Sequence, residues 1–456
     1  MTAIILFGSF FALLLIGVPI GISLGVASLL AIANIPFLKF DLYALGLVSG
    51  IDSFTLIAVV LFTLAGNLMS QGGISRRLIS VADKLFGRAP GDLGTVTIMA
   101  CLFFAAISGT GSATVAAVGL AMIPALVERG YDRAYAGAMV ASAGGLGVMI
   151  PPSVVMIVYA VAAGVSVTAL FMSGILPGML IALVLLGYNY MVRRQSVGMA
   201  PAIPKEPTST SEILKVLNDA KLALLMPLVV LGGIYGGIFT PTEAAAVAAV
   251  YSFLIANFIY KDMGPFADKN NAKPAILKVV QAFVHEDTKR TLYEAGKLTI
   301  MLLFIIANAL ILTHVLNEER IPQMITESML SAGLGPITFL IVVNVLLLIG
   351  GQFMEPSGLL IIVAPLVFPI AIALGIDPIH LGIMMVVNME IGMITPPVGL
   401  NLFVTAGVAK MSMMQVVKAA LPWVGVMFLF LIIVTYVPWV STWLPTMLMG
   451  PEIITK

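Results

Sequence analysis

Long apolar runs, separated by short polar segments, constrain this chain more than any other feature. Residues 2–33 form a run longer than the roughly 20 residues that a helix needs to cross a bilayer. Further runs lie near or somewhat below that length, at 56–68, 170–190, 222–235, 244–258, 298–311 and 419–436. Hydrophobic residues make up 60% of the chain and charged residues 10%, which is too apolar for a soluble domain. The sequence therefore predicts an all-α polytopic membrane protein.

Several other classes of protein are excluded by the same sequence. The N-terminus lacks the basic flank and cleavage site of a removable signal peptide, so it is read as the first membrane segment. A net charge of +1 argues against nucleic-acid binding, and the single Cys101 excludes a disulfide framework or a thiolate metal site. No phosphate loop, H-E-x-x-H motif or credible Ser/His/Asp set is present, so no enzyme is predicted and no catalytic residue is assigned.

The two halves of the chain resemble each other at a spacing of 245 positions. Apolar matches arise easily in such a composition, but aligned Pro-Pro, Gly, Asp and Ser residues do not, so we infer an internal duplication. The matched pairs are Ser112/Ser357, Pro124/Pro369, Gly130/Gly375, Asp132/Asp377, Gly137/Gly382, Met139/Met384, Gly147/Gly392, Pro151/Pro396 and Pro152/Pro397.

Basic residues indicate that the two copies are inverted. Lys and Arg accumulate in cytoplasmic loops, and the segment 70–92 carries four of them, whereas its equivalent at 317–336 carries only Arg320. The contrast is reversed earlier in each copy: 34–53 has Lys39 alone, whereas 261–297 has seven Lys and Arg residues. Equivalent loops on opposite sides require an odd number of crossings per half, and five fit.

These patterns define the predicted organisation. The first repeat covers 1–191, a cytoplasmic linker covers 192–221, and the second repeat covers 222–456. Apolar segments interrupted by Gly, Ser and Pro at their middle are predicted as re-entrant hairpins, at 93–127 and 336–372. The predicted spans are 3–16, 20–33, 54–72, 134–163 and 168–191, then 222–236, 241–260, 297–316, 379–408 and 419–445. Residues 3–33 alternatively form one long tilted helix.

Binding sites are expected where a helix is broken at membrane depth, because lipid cannot form hydrogen bonds with the exposed backbone groups. The hairpin tips at 108–112 and 352–357 and the Pro-Pro breaks at 144–153 and 390–397 fall in matched pairs. A Pro-Pro step leaves carbonyls free for a cation, and half-helix N-termini suit a carboxylate. Any one such motif is more often a kink or a packing device, but the repetition favours a midplane binding site. Glu355 and Glu390 are further candidates because they lie in apolar segments.

Four motifs together resemble the large membrane subunit of tripartite ATP-independent periplasmic (TRAP) transporters, of the DctM-like family. The resemblance covers nearly the whole chain. Its motifs are GVPIG at 17–21, SGTGSAT at 108–114, GVMIPPS at 147–153 and ITPPVGLN at 394–401.

The resemblance implies a sodium-coupled elevator mechanism in the bacterial inner membrane. A transport domain carries the hairpins 93–127 and 336–372 and the broken helices 134–163 and 379–408. The scaffold comprises 1–72, 168–191, 222–316 and 419–445. Family substrates are mostly organic acids such as C4-dicarboxylates and sialic acids. The implied partners are a periplasmic substrate-binding protein and a small four-helix membrane subunit, expected here as a separate polypeptide.

The resemblance also places the sites residue by residue. The first Na⁺ site would fall on Ser108, Thr110, Ser112, Gly147 and Ile150. The second would fall on Gln352, Glu355, Gly392 and Thr395. The substrate would lie near Thr114, Pro152, Ser153, Ser357, Pro397 and Asn401.

Two other functions stay open at this point. A stand-alone Na⁺/anion symporter of related architecture would take up substrate without partners. A structural or channel-like subunit would tolerate mutation of the Pro-Pro breaks. The sequence assigns no role to the stretch 262–290.

Overall fold

The computed structural model describes residues 2–35, 40–87, 92–195, 209–268 and 274–450, and every regular element in these ranges is helical. This confirms the predicted all-α membrane fold. The first half contains eleven helices within the described residues: α1 (Thr2–Leu15), α2 (Ile20–Ala33), α3 (Phe40–Ile51), α4 (Phe54–Gln71), α5 (Ile74–Phe86), α6 (Asp92–Ser108), α7 (Gly111–Glu128), α8 (Arg133–Gly144), α9 (Leu146–Met149), α10 (Val154–Ala163) and α11 (Val167–Gln195).

The second half adds another eleven α-helices, with a π-helical turn (Ile255–Ile259) and a 3₁₀ turn (Gly264–Phe266) between the second and third of them. These helices, again within the described ranges, are α12 (Thr210–Tyr235), α13 (Pro241–Leu254), α14 (Ala275–Val284), α15 (Glu286–Glu318), α16 (Ile321–Ser331), α17 (Pro336–Gly351), α18 (Pro356–Ala373), α19 (Pro378–Gly392), α20 (Leu400–Ala409), α21 (Met413–Tyr436) and α22 (Trp439–Met449).

Length and apolarity suit seven helical stretches of the described chain to crossing a membrane. They are Phe54–Gln71, Gly111–Glu128, Val167–Arg193, Pro241–Phe266, Ala275–Glu318, Pro356–Ala373 and Met413–Tyr436. The pair Arg133–Met149 and Val154–Ala163, bent by 44° at the first Pro-Pro break, adds an eighth candidate. Two of the seven are the second arms of the predicted hairpins, and these are 18 residues long. The predicted count of five crossings per half stays a prediction.

Helix boundaries repeat at the spacing found in the sequence. Helix α7 runs from Gly111 to Glu128, and α18 runs from Pro356 to Ala373, so both ends lie 245 positions apart. The starts of α8 and α19, at Arg133 and Pro378, are also 245 apart. This agreement supports the duplication, while the inverted orientation of the copies stays a prediction.

The helices pack in two groups. Helices α1–α4, α12, α13 and α15 form one, which we call the α4–α15 group. The hairpins α6–α7 and α17–α18 and the broken helices α8–α10 and α19–α20 form the other, which we call the hairpin group. Its centre is α19, which is buried along its whole length. Helices α5 and α16 each contact both groups.

Helices α11 and α21 depart from the predicted division of the chain. Residues 168–191 and 419–445 were expected with the scaffold, but α21 packs chiefly on α8, and α11 packs on α6, α9, α19 and α22. The ring of Trp423 on α21 lies 4.6 Å from that of Tyr188 on α11 and 5.7 Å from that of Tyr135 on α8. These contacts place α11 and α21 in the hairpin group.

The predicted polar connections are largely helical. Helix α12 begins at Thr210, inside the predicted linker 192–221, because Ser209 caps it and its first turns pair with α5 through Lys84–Glu212 (3.1 Å) and Arg77–Asp219 (3.4 Å). Helix α5 forms because its apolar residues share one face, leaving the basic residues on the other. Residues 196–208 of the linker lie outside the described residues, as do Lys39, Arg88, Lys269 and Lys273.

Candidate functional site

The first hairpin tip is joined to the first helix break by backbone contacts. Gly109, with φ +65°, turns the chain between α6 and α7, and its carbonyl accepts a hydrogen bond from the Val154 amide at 3.3 Å. Ser153 begins α10 as its N-cap and donates its hydroxyl to the Val148 carbonyl at 2.6 Å. The Pro151–Pro152 bond within the break is cis. Tip and break therefore form one packed unit.

Gly147 lies directly beneath the tip. A Cβ at this position would lie 2.3 Å from the Thr110 carbonyl oxygen and 2.6 Å from the Thr114 hydroxyl, closer than real Cβ contacts. The Thr114 hydroxyl is 2.9 Å from that carbonyl and 2.8 Å from the Ser108 hydroxyl. The first break thus packs against a cluster of neutral oxygens. Only a glycine at position 147 allows the backbone to come this close to them.

The second tip and break repeat this arrangement. The Gly399 amide donates to the Gln352 carbonyl at 3.0 Å, and Gly399 stands 245 positions after Val154, the donor in the first half. A Cβ on Gly392 would lie 2.9 Å from the Gly351 backbone. The Thr395 hydroxyl donates to the Ile391 carbonyl at 2.7 Å. In each half the break therefore donates a backbone hydrogen bond to its tip from an equivalent position, although the acceptors Gly109 and Gln352 are not equivalent.

Glu355 has a structural task at the second tip. It is the N-cap of α18, where one carboxylate oxygen accepts from the Gly358 amide and the other from the Ser357 hydroxyl, each at 3.1 Å. An N-cap acceptor satisfies a helix amide that otherwise lacks a partner. The cap keeps the carboxylate at the tip.

One cavity of about 550 Å³ connects the two tips with the two breaks. Its walls come from both groups of helices, so it lies at their boundary. The hairpin group supplies residues from both tips and both breaks, and the α4–α15 group supplies part of α4 and of α15. Its lining includes Asn67, Ser108, Thr110, Ser112, Val148, Val154, Leu298, Met301, Glu355, Ser357, Met393 and Leu400.

Four helices start at this cavity. Gly111, Val154, Pro356 and Leu400 are the first residues of α7, α10, α18 and α20, and all of them line it. Helix N-termini carry partial positive charge and unpaired amides. Side chains cap α10 and α18, but no side-chain cap is bonded at the start of α7 or α20. The cavity is therefore suited to an anion, although none of the described residues that line it is Lys or Arg.

Only some of the predicted site residues line the cavity. Ser108, Thr110, Ser112, Glu355 and Ser357 line it. Thr114, Pro152 and Ser153 are buried behind the first tip, and Asn401 is buried against α8, where its amide donates to the Ala141 carbonyl at 3.2 Å. The remaining predicted residues, Gly147, Ile150, Gln352, Gly392, Thr395 and Pro397, belong to the breaks and the second tip and are absent from the lining.

Sequence reasoning missed the polar face of α4. Thr63, Asn67 and Ser70 line the cavity opposite the tips, and a Cβ on Gly66 would lie 3.1 Å from the Ser108 carbonyl oxygen. Positions 63, 67 and 70 share one helical face. Polar residues at that spacing within an apolar span were the signal that could have revealed them.

Comparison with known proteins identifies the family to which this chain belongs. The profile of the tripartite ATP-independent periplasmic transporter, DctM component, matches residues 7–440. The chain belongs to this family. It is 62% identical to a C4-dicarboxylate TRAP transporter large permease protein of Vibrio cholerae, over the full length of both, and 49% identical to one of Pseudomonas aeruginosa, over 87% of each. The predicted family is confirmed, and the chain is a TRAP large permease subunit.

A solved structure shares the fold. The crystal structure of the Alcanivorax borkumensis YdaH transporter aligns with a TM-score of 0.59 and 15% identity, covering 86% of this chain and 87% of that one. At this identity the likeness concerns the architecture alone.

Replacing Glu355 by alanine is expected to destabilise this TRAP permease by about 1 kcal/mol, because removing an N-cap acceptor costs roughly that much. Glu355→Asp, a residue favoured at N-caps, should retain most of the stability. Thermal unfolding of the purified variants in detergent measures the difference. Equal transition temperatures for the two variants would contradict the capping role.

Proposed function

We propose that this TRAP permease subunit moves a small organic acid, with C4-dicarboxylates as the first candidates, into the cytoplasm together with Na⁺. The observation that carries the proposal is the single cavity at which both hairpin tips, both Pro-Pro breaks and four helix N-termini meet. Its volume lies within the range of small-molecule sites. The name of the Vibrio cholerae relative points to C4-dicarboxylates.

Oxygen atoms at the tips are the proposed ligands of the Na⁺ ions. Broken helices in secondary transporters present carbonyls to Na⁺ and helix N-termini to carboxylates. We assign the first Na⁺ to the tip that Gly147 supports, with Ser108, Thr110, Ser112 and Ile150 around it. We assign the second to Gln352, Glu355, Gly392 and Thr395. The substrate lies between the tips, close to Ser357, with Thr114, Pro152, Ser153 and Asn401 buried behind the cavity wall and Pro397 in the second break.

Movement of one helix group past the other would expose the cavity alternately to the two sides of the membrane. The cavity lies at the boundary of the groups, and α5 and α16 contact both, as connections between a fixed and a moving part must. We therefore assign the hairpin group, with α11 and α21, to the moving domain and the α4–α15 group to the scaffold. This is an elevator mechanism with a larger transport domain than the sequence predicted.

Family membership supports the remaining parts of the proposal. A tripartite transporter has components besides the large permease. We propose that a small four-helix membrane subunit packs beside the scaffold and that a periplasmic protein delivers the substrate. The assembly would lie in a bacterial inner membrane.

Reconstitution tests this function directly. The permease, a candidate small subunit and a candidate periplasmic protein are placed in liposomes with labelled succinate outside, and uptake is compared under inward Na⁺ and K⁺ gradients. Uptake is expected only with all components and Na⁺. Two Na⁺ per dianion and a tenfold Na⁺ gradient would support roughly 100-fold accumulation, because each tenfold ratio is worth about 1.4 kcal/mol.

Each alternative outcome of this experiment contradicts a different part of the proposal. Uptake by the permease alone would contradict the tripartite assembly and indicate a stand-alone symporter. Equal uptake under Na⁺ and K⁺ would contradict Na⁺ coupling. No uptake of succinate, but uptake of another organic acid, would contradict only the substrate assignment.

A further inference from the structure

Helix α14 presents an apolar face that the described residues of this chain do not cover. Ile276 is 80% exposed and Val280 63% exposed, and Leu277, Phe283 and Val284 are exposed beside them. Positions 276, 280, 283 and 284 fall on one side of a helix. Ala282 is the only buried residue of α14. The apolar stripe therefore faces outward.

Ring and hydrogen-bond contacts show the depth at which α14 lies. The Phe283 ring packs 4.9 Å from that of Phe253, in the last turn of α13. In the helix that follows α14, the Thr291 hydroxyl donates to the Gln71 side-chain oxygen at 2.9 Å, and Gln71 is the last residue of α4. The candidate membrane spans that contain α4 and α13 are Phe54–Gln71 and Pro241–Phe266, and α14 packs on the 3₁₀ turn Gly264–Phe266 that ends the second of them. Helix α14 thus lies level with the ends of two spans, at the edge of the bilayer.

The charges around α14 show which force would hold it there. The segment 261–297 carries seven Lys and Arg residues and five Asp and Glu residues, which leaves a net charge of +2. Arg290 also pairs with Glu294 at 3.0 Å. A net charge this small gives weak attraction to anionic headgroups. The apolar stripe therefore dominates the interaction.

We propose that α14 is an interfacial helix that lies in the membrane surface on the predicted cytoplasmic side, with Ile276, Val280 and Phe283 inserted at the boundary of headgroups and acyl chains. Amphipathic helices bind in this orientation when one face is strongly apolar. The occupant of the exposed face is thus lipid. Since α14 joins α13 to α15, it would anchor the scaffold at a fixed depth.

Site-directed spin labelling tests this placement. Labels are attached to Ile276→Cys and Val280→Cys in the otherwise unchanged chain, because the native Cys101 is buried. A lipid-side control is Leu429→Cys on the exposed face of α21, and an aqueous control is Lys289→Cys on the exposed face of α15. Unmutated protein reports any labelling of Cys101. Each variant is placed in phosphatidylcholine liposomes and, separately, in liposomes with added phosphatidylglycerol.

Collision with oxygen, which concentrates in the acyl region, and with a water-soluble nickel chelate is then measured. Labels at 276 and 280 should resemble 429, with high oxygen and low chelate accessibility in both lipid mixtures. Chelate accessibility equal to that at 289 would overturn the proposal. Labels shielded from both reagents in the chain alone would also overturn it, since they would indicate a protein contact. These readouts require no transport, so failure of the proposed function leaves them intact.

Discussion

Replacing Gly147 by alanine is expected to reduce Na⁺-dependent uptake strongly. The added Cβ would lie 2.3 Å from the Thr110 carbonyl oxygen, a backbone atom that cannot turn away. Overpacking of this kind costs about 1–3 kcal/mol, which corresponds to a loss of roughly 5- to 150-fold if it falls on the working geometry of the site. The initial uptake rate is measured in proteoliposomes against Na⁺ concentration.

A matched variant shows whether the effect is local. Gly407→Ala lies in α20, and its Cβ would meet no atom of the described residues within 4 Å. It should transport like the unmutated protein, because alanine suits a helix better than glycine. Both variants are first shown to be monodisperse. Normal uptake by Gly147→Ala would contradict the assignment of the first Na⁺ site to this tip.

A large loss of folded protein is expected when the contact between Gly145 and Glu390 is crowded. These residues stand 245 positions apart and meet where the two broken helices cross. Glu390 is 0% exposed, and its carboxylate oxygens have no hydrogen-bond partner among the residues that the structure describes. A Cβ on Gly145 would lie 2.4 Å from the Glu390 Cγ. Gly145→Ala should therefore strongly lower the yield of folded protein, because the added methyl group forces a fully buried side chain to shift.

The reciprocal change should restore folding. In Gly145→Ala with Glu390→Ala the crowded Cγ is gone, so the two methyl groups can share the space. Folded yield and thermal unfolding are compared for both single variants and the double variant. Gly187→Ala serves as the control, because it lies on α11 and its Cβ would have no neighbour within 4 Å in the part of the chain that the structure describes. A double variant as unstable as Gly145→Ala alone would show that this contact does not cause the defect.

Much of the fold was predictable because its signals are local. A Pro-Pro step disfavours helix wherever it stands, so the breaks after Met149 and Gly392 were visible in the sequence. The same holds for the Gly109 turn. The DctM family was recognisable from those motifs in combination. The interrupted apolar segments likewise predicted where α6–α7 and α17–α18 would turn.

Other parts of the site depend on which side of a helix faces its neighbour. Thr114, Ser153 and Asn401 come from segments that reach the cavity, yet they are buried in packed protein and do not line it. The polar face of α4 meets the cavity only because α4 packs across the hairpin tips. Crossing angles and rotations of this kind arise from pairwise helix packing and are invisible in a single segment.

The sequence by itself determined that this chain is a helical membrane protein of the DctM family with paired tips and paired breaks. Apolar length, Gly and Pro act within a few residues, and such local physics can be read along the chain. Only the tertiary structure decided that α11 and α21 pack on the hairpin group, that Glu390 rests on Gly145, and which oxygens reach the cavity. These outcomes depend on contacts between residues far apart in the chain, and many packings of similar apolar helices compete for them.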